Sequence, residues 1–375
     1  MVNTDSEETQ ERKVVIITGA NAGIGYSIAD RLLALDITLL IVLACRNLSK
    51  AETAKQNLLS SHPDATVDIV QLDTSKLSSV YKACAEIKQR YDRLDYLYLN
   101  AGTMPNVTFN YSNFFKSMLN PLKFIRILST GEGLLNVQDG ATEDGLRSVF
   151  CTNIFGHYVL FAVCHLFKEC TLLFNKVLNN GFHLQQTIQG LLDMLCEDGG
   201  SQIIWTSSSN ASAQLFSIDD IQHENGSESY SSSKHAVDLL SQALNDKFNS
   251  QGVYSRVTCP GFTSTNMTSP ILPGWMWSFS TPLLYLFRLV APRLCITPYN
   301  GAEALVWLFS TSPETTKSDI KYVSHCSLFG TRYVHTDKLD MNPDHAELLY
   351  KKLNVLEQSF RYKFSNKSEK NVSMS

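Results

Sequence analysis

A tyrosine and a lysine, Tyr230 and Lys234, stand four residues apart at the start of a segment with helical periodicity, and three serines separate them. Residues at this spacing lie on one face of a helix. An ammonium group near a phenol favours the phenolate and lowers a phenol pKa that starts near about 10. The pair therefore predicts a group that gives a proton to a carbonyl oxygen during reduction. The alternative is an exposed surface pair, which the same spacing also allows.

A second candidate for chemistry is the glycine-rich turn "TGANAGIG", which lies between an apolar run and a helical segment. Glycine permits a sharp strand-to-helix turn and lets the backbone approach a pyrophosphate, which then lies at the helix N-terminus. The alternative is an ordinary glycine-rich loop. The residues predicted to hold a dinucleotide at this turn are Thr18, Gly19, Asn21, Ala22, Gly23, Ile24 and Gly25.

The second apolar run ends in "LACRN", which puts Arg46 where a chain that binds NAD usually offers Asp or Glu to the ribose. A guanidinium group suits a 2′-phosphate. A solvated surface arginine is the alternative. The sequence therefore favours NADP(H) over NAD.

These residues need a scaffold, and the chain alternates strand-like with helix-like segments. This alternation predicts an α/β protein with a doubly wound parallel sheet. Helices are expected at residues 143–167 and 230–248. The predicted strands cover residues 13–18, 39–45, 66–73, 94–102, 201–209 and 254–262.

The candidate motifs also occur in a particular order. The glycine turn is followed by "LNAG", by "TN" in a later helix, by "TSSS", by the Tyr–Lys pair and by "CPG". This series resembles the short-chain dehydrogenase/reductase family from about Lys13 to Thr268. The resemblance implies an oxidoreductase with a single Rossmann-type domain and a hydrophobic segment that caps the substrate.

The resemblance implies a role for each matching catalytic residue. Tyr230 is the expected acid/base, and Lys234 is expected to lower the pKa of Tyr230 and to bond the nicotinamide ribose. Asn153 is expected to hold a water of the proton relay, and Ser208 to polarise the substrate carbonyl.

The assignment of the serine has alternatives. Ser207 and Ser209 adjoin Ser208, and Ser217 has the spacing to Tyr230 found in compact family members, so Ser217 is a second candidate for substrate binding. Ser208 is preferred because it follows the strand directly.

Further cofactor contacts are implied in three places: near the adenine, beside the sheet and beside the nicotinamide. In that order the residues are Asp73; Asn100, Ala101 and Gly102; and Pro260 and Gly261.

Longer stretches, among them "CRNLSKAE", "YSSSKHAVDLLSQALN" and "TPYNGAEALVWLF", resemble the ketosteroid reductases within this family. This implies reduction of the 3-ketone of sterol intermediates in cholesterol synthesis, and of the 17-ketone of estrone to estradiol, with NADPH. Two alternatives stay open: a retinol or lipid carbonyl reductase of the same family, and a non-catalytic NADP-binding scaffold.

Composition narrows the class of protein. The 375 residues are 44% apolar and 18% charged, which is typical of a globular protein, and the net charge of −4 offers no basic field for nucleic acid. Nine cysteines without paired spacing fit reduced thiols better than a disulfide framework or a metal site.

Between Val257 and Phe287 the chain carries no charged residue, and residues 257–294 are expected to form an apolar cap or a membrane anchor. A lid over the substrate, an anchor in the bilayer interface and a bilayer span all stay open. The family resemblance implies the endoplasmic reticulum membrane, with the catalytic domain facing the cytosol.

The expected domain covers residues 13–355, between polar tails at 1–12 and 356–375. Residues 162–188 depart from the family pattern and are interpreted as an atypical insertion. It is apolar enough to pack against the domain or to lie on a membrane, and the alternative is a splice variant or a gene-model error. Related proteins dimerise through the long helix that precedes this insertion, so the homodimer that the family suggests depends on it.

Overall fold

An eight-stranded sheet forms the centre of the molecule. The computed structural model describes residues 12–109, 135–165, 200–226, 228–265 and 292–372, with single positions at 112, 116, 282 and 285. The strands are β1 Val14–Thr18, β2 Leu40–Cys45, β3 Thr66–Gln71, β4 Tyr96–Leu99, β5 Asn106–Phe109, β6 Leu135–Gln138, β7 Ser201–Thr206, β8 Val253–Cys259, β9 Ile320–Cys326 and β10 Arg332–Lys338. The sheet order is β3-β2-β1-β4-β7-β8-β9-β10, and β5 pairs with β6 in a separate antiparallel ribbon.

Helices cover both faces of this sheet. They are α1 Gly23–Leu35, α2 Leu48–Ser61, α3 Leu77–Arg90, α4, α5 Ser229–Phe248, α6 Pro298–Gly301, α7 Glu303–Phe309 and α8 Pro343–Val372. Helix α4 is composite: an α-helical turn Ser148–Phe150, a π-helical turn Cys151–Phe155 and the α-helix Gly156–His165.

The strand sequences explain why the sheet lies between two layers. All five residues of β1, "VVIIT", are buried, as expected for a strand covered on both faces. One core lies between the sheet and α3, α4, α5 and α8, and the other between the sheet and α1, α2 and α7. Neighbouring strands run parallel except β9 and β10, which confirms the predicted doubly wound parallel sheet.

The order of the strands fixes where a ligand can bind. From β1 the chain winds outward to β2 and β3 and then returns to place β4 on the other side of β1. The connections that follow the carboxyl ends of β1 and β4 therefore run in opposite directions along the sheet. Ligands of doubly wound sheets bind in the crevice at such a switch point.

Residues 356–372, expected as a polar tail, continue helix α8. Leu349, Leu353 and Phe360 are buried at helical spacing, and so is the charged Glu357, which pairs with Arg361 at 2.8 Å. The overall polarity of the stretch hid this periodicity.

Helix α8 lies across α4 and α5. Phe360 meets the ring of Phe155 with centroids 6.0 Å apart. The Tyr158 hydroxyl donates to Asn354, and Lys247 of α5 pairs with Glu347 at 2.7 Å. Helix α4, which the family resemblance associates with dimerisation, is therefore in contact with the chain's own C-terminal helix.

Two expectations fall mostly on residues that the structure does not describe. These are the atypical insertion, beyond residue 165, and most of the apolar segment 257–294. Within the described ranges, none of the helices combines the length and the apolarity needed to cross a membrane.

Candidate active site

A cleft of about 850 Å³ opens at the carboxyl ends of the central strands. Most of the residues predicted from the sequence line it: Gly19, Asn21, Ala22, Gly23, Ile24, Arg46, Asp73, Asn100, Ala101, Gly102, Ser208, Tyr230, Lys234, Pro260 and Gly261. Thr18, Gly25 and Asn153 contact this lining without being part of it. Ser217 is exposed on the loop before α5 and does not line the cleft.

The glycine turn is held against β4 by the buried side chain of Thr18. Its hydroxyl accepts hydrogen bonds from the backbone N–H groups of Asn100 and Ala101, both at 2.9 Å. The Asn100 side chain donates to the Thr18 carbonyl at 3.0 Å. These three bonds join the turn after β1 to the "NAG" segment after β4.

The turn leaves no room for a side chain at Gly25. A Cβ on Gly25 would lie 2.5 Å from the Gly19 carbonyl oxygen and 2.8 Å from the Asn100 amide nitrogen. Gly19 and Gly23 have φ values of +69° and +60°, a conformation that glycine adopts without strain. The N-cap Ala22 offers no side-chain acceptor to the first turn of α1. A close backbone and an uncapped helix N-terminus fit a diphosphate.

Two positively charged side chains line the cleft near the carboxyl end of β2. Arg46, at the end of β2, is exposed and lines the cleft, and so does Lys50 in the first turn of α2. The side chain of Asn47 caps α2 by accepting from the Lys50 N–H at 2.9 Å. Sequence reasoning missed Lys50, although the Asn47 cap before "LSKAE" is the signal that places it one turn into the helix. This pair fits a 2′-phosphate.

At the other end of the cleft, Tyr230 and Lys234 share one face of α5. The Lys234 ammonium lies 5.6 Å from the centroid of the Tyr230 ring and donates to the Thr206 carbonyl at 2.8 Å. The Ser208 side chain lies close enough to the Tyr230 phenol to lower its pKa. Ser207 is buried and donates to Asp238 at 2.6 Å, whereas Ser209 is exposed. Of the three serines, Ser208 is thus the one that meets the tyrosine.

The pKa of Tyr230, at the reaction end of the cleft, differs from the expectation. Burial raises the pKa of Tyr230 to about 12, and the Ser208 side chain offsets part of this rise. Burial lowers the pKa of Lys234 to about 8, against the attraction of Asp238. The expected net lowering of the tyrosine pKa is not seen, because burial is the largest influence on Tyr230. Tyr230 is protonated at neutral pH, which is the form that donates a proton.

Asn153 occupies the π-helical turn, and its buried side chain makes three hydrogen bonds within the protein. Its carbonyl oxygen accepts from the Thr103 N–H at 2.7 Å, and its amide donates to the Thr103 carbonyl and the Ser233 hydroxyl, both at 3.0 Å. Asn153 therefore joins the loop after β4 to helix α5. That Asn153 holds a water of the proton relay stays a prediction.

His157 was not predicted and links α4 to the glycine turn. Its Nε2 lies 3.0 Å from the Thr18 hydroxyl, and its Nδ1 lies 3.4 Å from the Asn153 carbonyl oxygen. Complete burial, and secondly the Lys234 charge, lower the pKa of His157 to about 3. A neutral imidazole that donates from Nδ1 and accepts at Nε2 satisfies both contacts. No local sequence signal marks this residue.

This geometry is that of a nucleotide-dependent oxidoreductase, and comparison with known proteins agrees. The profile described as short chain dehydrogenase matches residues 13–164 and 177–274. The chain belongs to this family, whose members oxidise alcohols or reduce ketones. Residues 165–176, inside the predicted insertion, separate the two matched segments.

Particular relatives are much closer than the family as a whole. The 3-keto-steroid reductase/17-beta-hydroxysteroid dehydrogenase 7 of Rattus norvegicus is 48% identical over 93% of this chain and 97% of its own length. The protein of the same name from Homo sapiens is 48% identical over 93% of this chain and 95% of its own.

A solved structure shows the same fold at low identity. L-sorbose reductase from Gluconobacter frateurii, in complex with NADPH and L-sorbose, has a TM-score of 0.55 and 18% identity. The match covers 86% of this chain and 98% of that one.

Proposed function

We propose that this chain is an NADPH-dependent reductase of the 3-ketone of sterols. The observation that carries the proposal is the meeting of a protonated Tyr230 with Ser208 at one end of a cleft whose other end fits a dinucleotide. The relatives that are 48% identical over nearly the whole chain bear the name 3-keto-steroid reductase, which supports a steroid ketone as the substrate.

The reaction requires two protein hydroxyls at the ketone oxygen. NADPH supplies the hydride to the carbonyl carbon. The hydroxyls of Ser208 and Tyr230 donate to the carbonyl oxygen and stabilise the negative charge that develops there. Tyr230 then transfers its proton to that oxygen. The Lys234 ammonium, 5.6 Å from the ring centroid, stabilises the phenolate that is left.

The choice of NADPH follows from the wall at the end of β2. Arg46 and Lys50 offer two cations to a 2′-phosphate. Asp73 lines the neighbouring wall, and its carboxylate accepts from the backbone N–H of Ser75 at 3.0 Å. The ribose end of the cleft is thus positively charged beside Arg46, while Asp73 is held by its own loop near the position proposed for the adenine.

A second activity, reduction of the 17-ketone of estrone to estradiol, belongs to the same proposal. The names of both 48% identical relatives join a 3-keto-steroid reductase with a 17-beta-hydroxysteroid dehydrogenase, which supports this second activity. The proton donor and the polarising serine serve a ketone at either end of a steroid. No observation favours retinol.

The proposed place of action is the cytosolic face of the endoplasmic reticulum membrane. The apolar stretch from Val257 to Phe287 and the insolubility of a sterol substrate support it. A homodimer of the kind expected from the family would need α4 to be uncovered. Since α8 packs against α4, any dimer is proposed to use a different face.

The test is oxidation of NADPH by the full chain in detergent-solubilised membranes with a 3-keto sterol such as zymosterone. Tyr230→Phe serves as the blank, and estrone and retinal are assayed in parallel. Turnover of the sterol that depends on Tyr230 is expected. Binding of NADPH without turnover of either steroid, or a preference for retinal, would overturn the proposal.

A further inference from the structure

A buried ion pair lies behind the serine and tyrosine of the reaction end. Asp238 is one turn beyond Lys234 on α5, and Lys321 lies on β9, so the two come from distant parts of the chain. Lys321 Nζ is 2.7 Å from Asp238 Oδ2. Asp238 is 3% exposed and Lys321 7%, so solvent does not screen this pair.

The other contacts of the pair end on the two serines after β7. The second carboxylate oxygen of Asp238 accepts from the Ser207 hydroxyl at 2.6 Å. Lys321 also donates to the backbone carbonyl of Ser208 at 3.0 Å. Ser207 bonds the Lys234 carbonyl at 3.2 Å as well. The peptide that carries the Ser208 hydroxyl is thus held from both sides.

Stability alone gives a weak reason for this arrangement. Removing two charges from water costs several kcal/mol in general, and an apolar pair of similar volume often stabilises a core as well or better. An apolar pair would not hold the Ser207–Ser208 segment, because it offers neither a donor to the Ser208 carbonyl nor an acceptor to the Ser207 hydroxyl.

We propose that Asp238 and Lys321 are positioning residues, which hold the Ser208 hydroxyl against Tyr230 and set the charge around Lys234. The proposal rests on the proposed reductase function. Neither residue touches the substrate in this scheme: both act through Ser208 and Lys234.

The two charges act on Lys234 in opposite directions. Asp238 raises the pKa of Lys234 and Lys321 lowers it, within the larger lowering caused by burial. Other groups also face the lysine from the elements packed against it. They are Tyr230 on its own helix, the Thr206 carbonyl at the end of β7, Cys259 on β8 and His157 on α4.

The test compares Asp238→Asn with Lys321→Met in the sterol reductase assay as a function of pH. Each variant is expected to lower kcat by about 10- to 100-fold, because misplacing a reacting group by about 1 Å costs this much. The affinity for NADPH is expected to stay within about threefold, since the pair does not line the cleft.

The pH profiles are expected to shift in opposite directions. Without the Asp238 carboxylate the pKa of Lys234 falls, so the alkaline loss of activity moves to lower pH. Without the Lys321 ammonium it rises, and the loss moves to higher pH, by about half a unit or more in each case. Lys321→Arg keeps the charge and is expected to return the profile towards that of the wild type.

A matched control separates positioning from packing. Asp95, 8% exposed and paired with Arg93 at 2.6 Å, is another buried carboxylate, but it directly precedes β4 and so lies at the amino ends of the strands, away from the cleft. Asp95→Asn is expected to lower Tm without moving the pH profile. If Asp238→Asn and Lys321→Met behave in the same way, or keep the wild-type kcat, the pair is structural and the proposal is wrong.

A readout without turnover keeps this proposal distinct from the reductase function. The Lys234 resonance in ¹³C-lysine NMR, assigned with Lys234→Arg, is expected to titrate at lower pH in Asp238→Asn and at higher pH in Lys321→Met. Absence of Tyr230-dependent turnover in the wild type would refute the reductase function. Absence of the opposite NMR shifts would refute the role of the pair.

Discussion

The dinucleotide end of the cleft is made mainly of backbone, whereas the reaction end is made of side chains. At the dinucleotide end, Gly19, Gly23 and Gly25 lie within seven consecutive residues. Their lack of a Cβ leaves the backbone of the turn open to the dinucleotide. At the reaction end, Ser208 and Tyr230 come from separate elements, and each contributes one hydroxyl.

This difference predicts how substitutions at each end affect binding and catalysis. A site of backbone tolerates the loss of nearby side-chain atoms but no added atom, because its carbonyl and amide groups already lie at contact distance. A site of side chains keeps its fold when one oxygen or one charge is removed, but it loses the chemistry. Substitutions that add or delete single groups can therefore test the comparison.

The largest effect is expected at the reaction end from Tyr230→Phe. Deleting one hydroxyl removes the proton donor, and kcat for the sterol ketone is expected to fall by about 1,000-fold. The dissociation constant of NADPH, measured by fluorescence titration, is expected to change by less than about threefold. Phe216→Leu, a change of a partly buried ring on the loop before α5, serves as the packing control. Loss of NADPH binding in Tyr230→Phe would show that the two ends are not separable.

The next effect is expected at the dinucleotide end from Gly25→Ala. The added Cβ would meet the Gly19 carbonyl at 2.5 Å, and overpacking of this kind costs about 1–3 kcal/mol. NADPH is expected to bind about 10- to 100-fold more weakly in isothermal titration. The matched glycine is Gly140, where a Cβ would meet only the Ser148 hydroxyl at 3.3 Å. Equal affinity in Gly25→Ala and Gly140→Ala would contradict a backbone site.

A smaller effect is expected where the dinucleotide end does use side chains. Arg46→Ala is expected to raise the KM for NADPH by about tenfold, since one charge-assisted contact to phosphate is worth about 1.5 kcal/mol. The KM for NADH is expected to stay unchanged. Lys50→Ala should act in the same direction. Lys82→Ala, an exposed lysine of α3 outside the cleft, should leave both constants alone. An equal rise of the KM for NADH would show that Arg46 does not bind the 2′-phosphate.

The smallest effect on the chemistry is expected at His157, which connects the two ends through Thr18. Burial holds its pKa at about 3, below the ordinary value of 6.5, so the unfolded chain binds an additional proton between these values. Stability is therefore lost as pH falls from 6.5 towards 3. By pH 5 the loss is about 2 kcal/mol, at about 1.36 kcal/mol per unit.

Replacement by an uncharged amide tests this link. His157→Gln is expected to lose less stability than the wild type between pH 7.5 and pH 5, as measured by urea denaturation. His335→Gln, a change of a half-exposed side chain, is the comparison. An unchanged pH dependence in His157→Gln would show that the imidazole is not held neutral.

Local sequence was sufficient to predict the central strands and the dinucleotide end. The predicted strand at residues 13–18 corresponds to β1 Val14–Thr18, and that at 254–262 to β8 Val253–Cys259. A strand buried on both faces is a continuous apolar run, and a turn that needs glycine shows it in consecutive letters. For the same reason the Tyr230–Lys234 pair was recognisable: both members lie on one helix.

What the sequence alone determined about this protein is the parallel sheet, the glycine turn and the tyrosine–lysine pair, because each depends on residues close together in the chain. Tertiary structure decided which serine meets Tyr230, how burial sets the pKa values of Tyr230 and Lys234, and that Lys321, 83 residues after Asp238, lies beside it. It also decided that α8 packs against α4 and α5. Burial and the distances between charges depend on every element packed around a group, so no local pattern reports them.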